Sequence, residues 1–272
     1  MSPVKRRVFL GTVGSMASLG TLAYATRDPD ETLAVRIWFS ERAATYDGVA
    51  DRILEYLEEV FALEYWTLDV SIGGSVSVST EDAARLTIRG EWPRAVAAGA
   101  LGRRDLEPVS DVNLLVTDGE MERAPTGYGI PHIASVGGAR HIAALESFDE
   151  LVDDDARLIV PYATPTRSIQ VLVHEIGHAL GLEHEHGVAF RRDGAVIATP
   201  MLSSYAWDPS YDTDRPHCGT AIPSTDDRKR KLSLAFSSCA RRELAAYEGG
   251  LFSNGTARRT DRSLPERRNR TR

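Results

Sequence analysis

Eleven consecutive residues, His174 to His184, constrain this chain more than any other feature. They read HEIGHALGLEH and set three histidines, one glutamate and one glycine in the spacing H-E-x-x-H-x-x-G-x-x-H. His174 and His178 are four residues apart, so on a helix both imidazoles project from one face toward one point. Glu175 lies beside that face, where its carboxylate can reach a water between the rings without binding the cation itself. Gly181 can take a positive φ without steric cost, which ends the helix and turns the chain back. The turn carries His184 to a third corner of a tetrahedron and leaves the fourth open. Three neutral imidazoles and one open position form the donor set of a catalytic zinc ion. At average residue usage, five such fixed positions arise in a chain of this length with a probability on the order of 10⁻⁵. One zinc ion is therefore expected on His174, His178 and His184, with Glu175 as general base.

The motif resembles that of the metzincin clan of zinc endopeptidases. The resemblance implies a methionine beyond the third histidine, forming a floor under the metal. Met201 follows His184 by 17 residues, in ATPMLSSYAW, where Pro200 and the Ser203-Ser204 pair suit a tight turn. Of the four methionines, Met1 and Met16 fall in an N-terminal leader and Met121 precedes the motif, which leaves Met201. An ordinary core methionine is the competing reading. Some metzincins add a tyrosine ligand two residues after that methionine. Tyr205 follows Met201 by four, and is either an extra ligand or a packed tyrosine at the rim. HEIGHALGLEH looks most like the matrixin and serralysin version, whereas Glu185 is the residue astacins carry after the third histidine. The archaemetzincin pattern of extra cysteines is absent, since the chain has only Cys218 and Cys239.

The N-terminal segment Lys5-Arg6-Arg7-Val8-Phe9-Leu10 resembles a twin-arginine export signal. A weakly apolar run from Val8 to Ala25 follows and ends in Ala23-Tyr24-Ala25, a small-x-small cleavage signal. Retention as an anchor is the alternative, and the low hydrophobicity of the run argues against it. Residues 1–27 carry +4 and residues 256–272 carry +5, so a chain of net −7 leaves −16 on residues 28–255. So acidic a body is expected to be soluble and to repel nucleic acid, and it suits a secreted protein of a salt-adapted microbe. Asp153-Asp154-Asp155 reads as solvated surface rather than a calcium site.

Two cysteines in an exported chain suggest one disulfide, Cys218 to Cys239, closing a 22-residue loop. Two separate buried thiols are the alternative. No cysteine precedes Cys218, and cleavage after Ala25 would leave about seven residues before the first predicted strand, so cysteine-switch latency is not expected.

Periodicity predicts strands at 33–39, 67–72, 84–88 and 111–117, and an amphipathic helix over 46–62. Ile130 to Ala144, with Gly137-Gly138, reads as an edge strand with a bulge. Ser168 to Leu180 reads as the metal-binding helix and Arg228 to Tyr247 as a last helix with Leu232, Phe236 and Leu244 inward. This order predicts an α+β protein. The resemblance refines it to a two-lobed zincin: a mixed twisted sheet, the active-site helix, a Met-turn and a C-terminal helix. The domain reading is a signal peptide over 1–25, a catalytic domain over 26–250 and a disordered basic tail over 251–272, with weak glycosylation sequons at Asn254 and Asn269. In metzincins the edge strand pairs with an extended substrate.

His132 and His141 read as solvent-facing or packing residues. His186 competes with His184 as third ligand, but Gly181 stands three residues before His184, as the motif requires. His217 has no assigned role. The expected function is a secreted, monomeric zinc endopeptidase acting on protein or peptide, without nucleic acid or a stable membrane anchor. Two alternatives stand beside it: a zinc-dependent hydrolase of a non-peptide amide, and a catalytically silent zinc-binding surface protein.

Overall fold

The computed structural model describes residues 32–123, 125–152, 157–202, 218, 222–225, 228–247 and 249. The predicted leader, the Asp153–Asp155 run, Tyr205, His217 and the basic tail with its sequons lie outside them. In chain order come β1 (Thr32–Ser40), α1 (Val49–Val60), β2 (Thr67–Val76), α2 (Ala83–Ile88), α3 (Glu91–Ala100), β3 (Val112–Val116), β4 (Gly127–Ile130) and β5 (Ile133–Val136). There follow α4 (Ala139–Ala143), α5 (Phe148–Leu151), β6 (Ile159–Pro161), α6 (Thr164–Ala179), β7 (Ala189–Arg192), β8 (Ala195–Ala198), β9 (Lys229–Ser233) and α7 (Ser238–Ala245). The protein is α+β with two sheets.

The larger sheet has the order β2-β1-β3-β5-β4, parallel except for β4, which pairs antiparallel with β5 at one edge. A parallel sheet needs cover on both faces, and the alternation of β1 supplies it. Leu33, Val35, Ile37 and Phe39 join one core with α1 and α6, while Trp38 joins another with Trp92 and Leu86. The smaller sheet has the order β6-β9-β8-β7. Among the described residues no helix is long and apolar enough to cross a membrane.

Three sequence expectations are corrected. Residues 84–88 form helix α2, not a strand. Asp82 caps it by accepting from the Arg85 N–H at 3.0 Å, and the buried Ala83, Leu86 and Thr87 follow helical rather than alternating spacing. The single edge strand expected over 130–144 is instead a hairpin, in which β5 is interior and β4 is the edge. His132 turns between them at φ 67°, and Gly138 at φ 80° starts α4. Residues 228–247 divide into β9 and α7. Leu232, Phe236 and Leu244 are buried as expected, but they project from a strand, a loop and a helix. Ser237 breaks the run, since its side chain caps α7 by accepting from the Ala240 N–H at 3.0 Å.

Candidate metal centre

Helix α6 presents the site because its opposite face is anchored. Ile169, Leu172, Val173 and Ile176 are fully buried in the main core, which aims His174 and His178 outward toward a cleft. The helix ends in a pair of reverse bonds: the Gly181 N–H reaches the His178 carbonyl at 3.0 Å and the Leu182 N–H the Gly177 carbonyl at 2.9 Å. This closure requires Gly181 in the left-handed region, and its φ is 88°. The chain then reverses into a short turn, His184–His186.

His174 Nε2 stands 3.0 Å from His178 Nε2 and 3.2 Å from His184 Nε2. The Nδ1–H of His174 donates to the Pro200 carbonyl at 2.6 Å, and that of His178 to the Leu182 carbonyl at 2.7 Å. A carbonyl can only accept, so in the neutral rings both Nδ1 atoms carry the hydrogen and both Nε2 atoms carry lone pairs. Lone pairs brought this close repel unless a cation lies between them. Zinc–nitrogen bonds of about 2.0–2.1 Å at tetrahedral angles set nitrogens roughly 3.3 Å apart, within a few tenths of an ångström of the spacing here. The His174/His178/His184 cluster is compatible with a zinc site.

Burial shapes the charge state. It lowers the His174 pKa from 6.5 to about 3, with help from the His178 ring, and lowers that of His178 as well. Desolvation disfavours imidazolium and keeps both rings in the form that binds metal. His186 is turned to another task, accepting the Glu183 N–H at Nδ1 at 2.8 Å. His132 and His141 lie elsewhere, the first against the Asp111 carbonyl at 3.2 Å and the second 2.9 Å from Glu122.

Glu175 is 7% exposed, and burial raises its pKa from 4.5 to about 8 against the opposing pull of the Gly129 N–H. The edge strand β4 lies close over it. A β-carbon at Gly127 would stand 2.6 Å from Glu175 Oε1, and one at Gly129 would stand 2.6 Å from His178 Cβ. Two glycines at strand spacing thus let β4 approach the helix at the site. Sequence reading did not single them out, although the alternation Gly127-Tyr128-Gly129 was available as a signal.

Met201, 1% exposed, sits beneath the site. Its sulfur lies against Gly177, where a β-carbon would overlap it. Cys218 and Cys239 form the expected disulfide. The bridge supports the third histidine's turn: the Cys218 N–H donates to the Glu185 carbonyl at 3.0 Å, and the Ser237 hydroxyl to the His186 carbonyl at 2.6 Å. A cavity of about 360 Å³ opens beside the three imidazoles, floored by α6 and walled by β4, Tyr162, Pro200 and Leu202.

No family model matches the chain, and no curated protein sequence does. Solved structures resemble it, two of them zinc-peptidase structures from archaea. One is an archaemetzincin from Methanopyrus kandleri, at 17% identity and TM-score 0.36, covering 81% of this chain and 99% of that one. The other is a zinc-dependent peptidase from Methanocorpusculum labreanum, at 17% identity and TM-score 0.37, covering 77% and 99%.

Proposed function

We propose that this chain is an exported zinc endopeptidase of the metzincin type. The observation that carries the reading is the convergence of three imidazole Nε2 atoms beside a buried carboxylate at the edge of a sheet. His174, His178 and His184 would hold the ion. When bound, zinc supplies Lewis acidity, making a water more acidic and polarising a carbonyl.

The other steps fall to the protein. Glu175 accepts a proton from the attacking water and returns it to the leaving amine nitrogen. Pro200 and Leu182 hold two of the rings in a single tautomer. Met201 and Gly177 set the floor of the site. Strand β4 supplies an edge on which an extended peptide can add as a further strand. Cleavage of a twin-arginine leader after Ala25 would place the enzyme outside the cell, and the acidic body would keep it soluble there.

Zinc content together with cleavage of denatured casein and a quenched peptide library tests the reading, with Glu175→Ala alongside. The wild type should bind one zinc and cut, while the variant should bind zinc and lose about 10²–10⁴-fold in rate. A wild type that binds zinc and cuts neither substrate overturns the endopeptidase reading. A variant that cuts as fast as the wild type removes Glu175 from its role.

A further inference from the structure

Arg167 stands apart in the cavity beside the imidazoles. Among the described lining residues it is the only arginine or lysine, and Glu175 is the only acid. Its guanidinium lies over the Tyr162 ring at 5.9 Å and its Nη2 donates to the Met121 carbonyl. Its Nε is buried with no hydrogen-bond partner, and no carboxylate pairs with it among the described residues. Arg167 is half-buried, so an anion beside its guanidinium would find a cation that is partly shielded from water and has a donor to spare. Apart from Glu175, the described residues of the wall supply none. Gln170 is committed to the Ala198 carbonyl at 3.0 Å, and Val171, Leu202 and Leu232 are apolar.

The direction of the strands says which part of a substrate would reach Arg167. Gly127 of β4 faces Val171 and Glu175, whereas Gly129 faces His178. Strand β4 therefore runs in the same sense as α6, with its first residue nearer the start of the helix. A peptide pairing antiparallel with β4 runs the opposite way. Its residues before the scissile bond pass the His178 end, and those after it pass Val171 and move toward Arg167. Arg167 precedes His174 by seven residues, a rise of roughly 10 Å along the helix, within reach of a long side chain on the residue that follows the cut.

We propose that Arg167 is a specificity-determining residue and that the cavity takes a carboxylate side chain from the residue directly after the scissile bond. Glutamate is favoured over the shorter aspartate. This rests on the peptidase reading and deepens it. The stem of a glutamate packs on Val171 and Leu232, and its carboxylate accepts from the guanidinium in a charge-assisted pair. A free peptide C-terminus offers the same chemistry, so the two sources are separated in the test.

Peptides that differ only at the residue after the cut (Glu, Asp, Gln, Leu or Lys) are compared with free and amidated C-termini. The zinc-loaded wild type and Arg167→Gln are assayed for kcat/KM, and binding of the same peptides is measured on a Glu175→Ala background. The wild type should prefer Glu over Gln by about 10- to 100-fold, on amidated peptides as on free ones. Arg167→Gln should reduce that ratio to within about threefold while still cutting the Leu peptide. A merely structural role for Arg167 would lower all substrates together and leave the Glu-to-Gln ratio in place, which overturns the assignment. Equal handling of Glu and Gln by the wild type overturns it as well. A preference confined to free C-termini, or to an acid before the cut, overturns the site as drawn. If no peptide is cut but Glu peptides bind more tightly through Arg167, the cavity assignment stands and the endopeptidase reading falls.

Discussion

Gly127 lies directly over the Glu175 carboxylate, with its missing β-carbon 2.6 Å from Oε1 and 2.9 Å from Val171 Cγ1. The edge strand and the Glu175 carboxylate therefore meet with no room between them for a methyl group.

Gly127→Ala should displace the carboxylate or lift the strand. Small misplacements of a catalytic group are costly, so with Glu175 in its proposed role we expect kcat/KM to fall about 10- to 100-fold with zinc content unchanged. Metal analysis and peptide kinetics on one preparation check this. Unchanged kinetics would show that β4 and Glu175 do not compete for the position.

Gly177 and Met201 make a similar pair beneath the metal centre. A β-carbon at Gly177 overlaps the Met201 sulfur, so Gly177→Ala should cost about 1–3 kcal/mol through overpacking. Adding Met201→Ala to that variant should restore part of the loss, a non-additive result that urea unfolding of the four-member cycle would reveal. Strict additivity would mean that the two residues do not meet.

The Cys218–Cys239 bridge closes a loop of 22 residues beside the His184 turn. Replacing both cysteines with serine should lower stability by about 3 kcal/mol, and should weaken zinc affinity more than a remote change of equal cost. Zinc titration with a competing chelator is the measurement. Affinity equal to that of the wild type would detach the bridge from the third histidine.

Asp118 gives an acid limb to stability. Its side chain is fully buried and accepts from Tyr46 at 2.7 Å and from two nitrogens of Arg140 at 2.8 Å, with Arg42 at 3.0 Å. Burial alone would raise its pKa, but the bonds from Arg140 and Tyr46 outweigh burial and hold it below the ordinary 3.8. A carboxylate whose folded value is depressed contributes fully above its unfolded value and loses that contribution as pH falls toward the folded one. In urea unfolding with chelator present throughout, the wild type should lose stability below about pH 4 more steeply than Asp118→Asn. Parallel slopes would contradict this.

How much the sequence told depended on how local each feature was. His174, Glu175, His178, Gly181 and His184 are legible because helix period and a glycine turn alone bring them together. The alternation of Leu33 to Phe39 was legible for the same reason. Residues 84–88 were misread since Leu86 and Ile88 alternate like a strand, although Ile88 proved 64% exposed and Asp82 capped a helix. The smaller sheet escaped notice because its strands have three to five residues, too few for a period to show, and β9 pairs with β6 and β8 across long separations. Gly127 carried only the alternation Gly127-Tyr128-Gly129, and Arg167 carried no signal in its own neighbourhood. Their meaning comes from a helix face or cavity assembled by distant segments.

The parallel pairing of β8 with β9 has a consequence for how such a protein can diverge. Strand β8 ends at Ala198, and β9 begins at Lys229 beside the opposite end of β8. The entropic cost of lengthening a connection rises only with the logarithm of its length, so residues inserted between Leu202 and Cys218 should cost little as long as both of those are kept. Pro200, whose carbonyl orients His174, lies before the inserted residues and would be left in place. New cleft shapes can therefore be tried on an unchanged set of ligands, and descendants of one chain can differ in what they accept before they differ in what they catalyse.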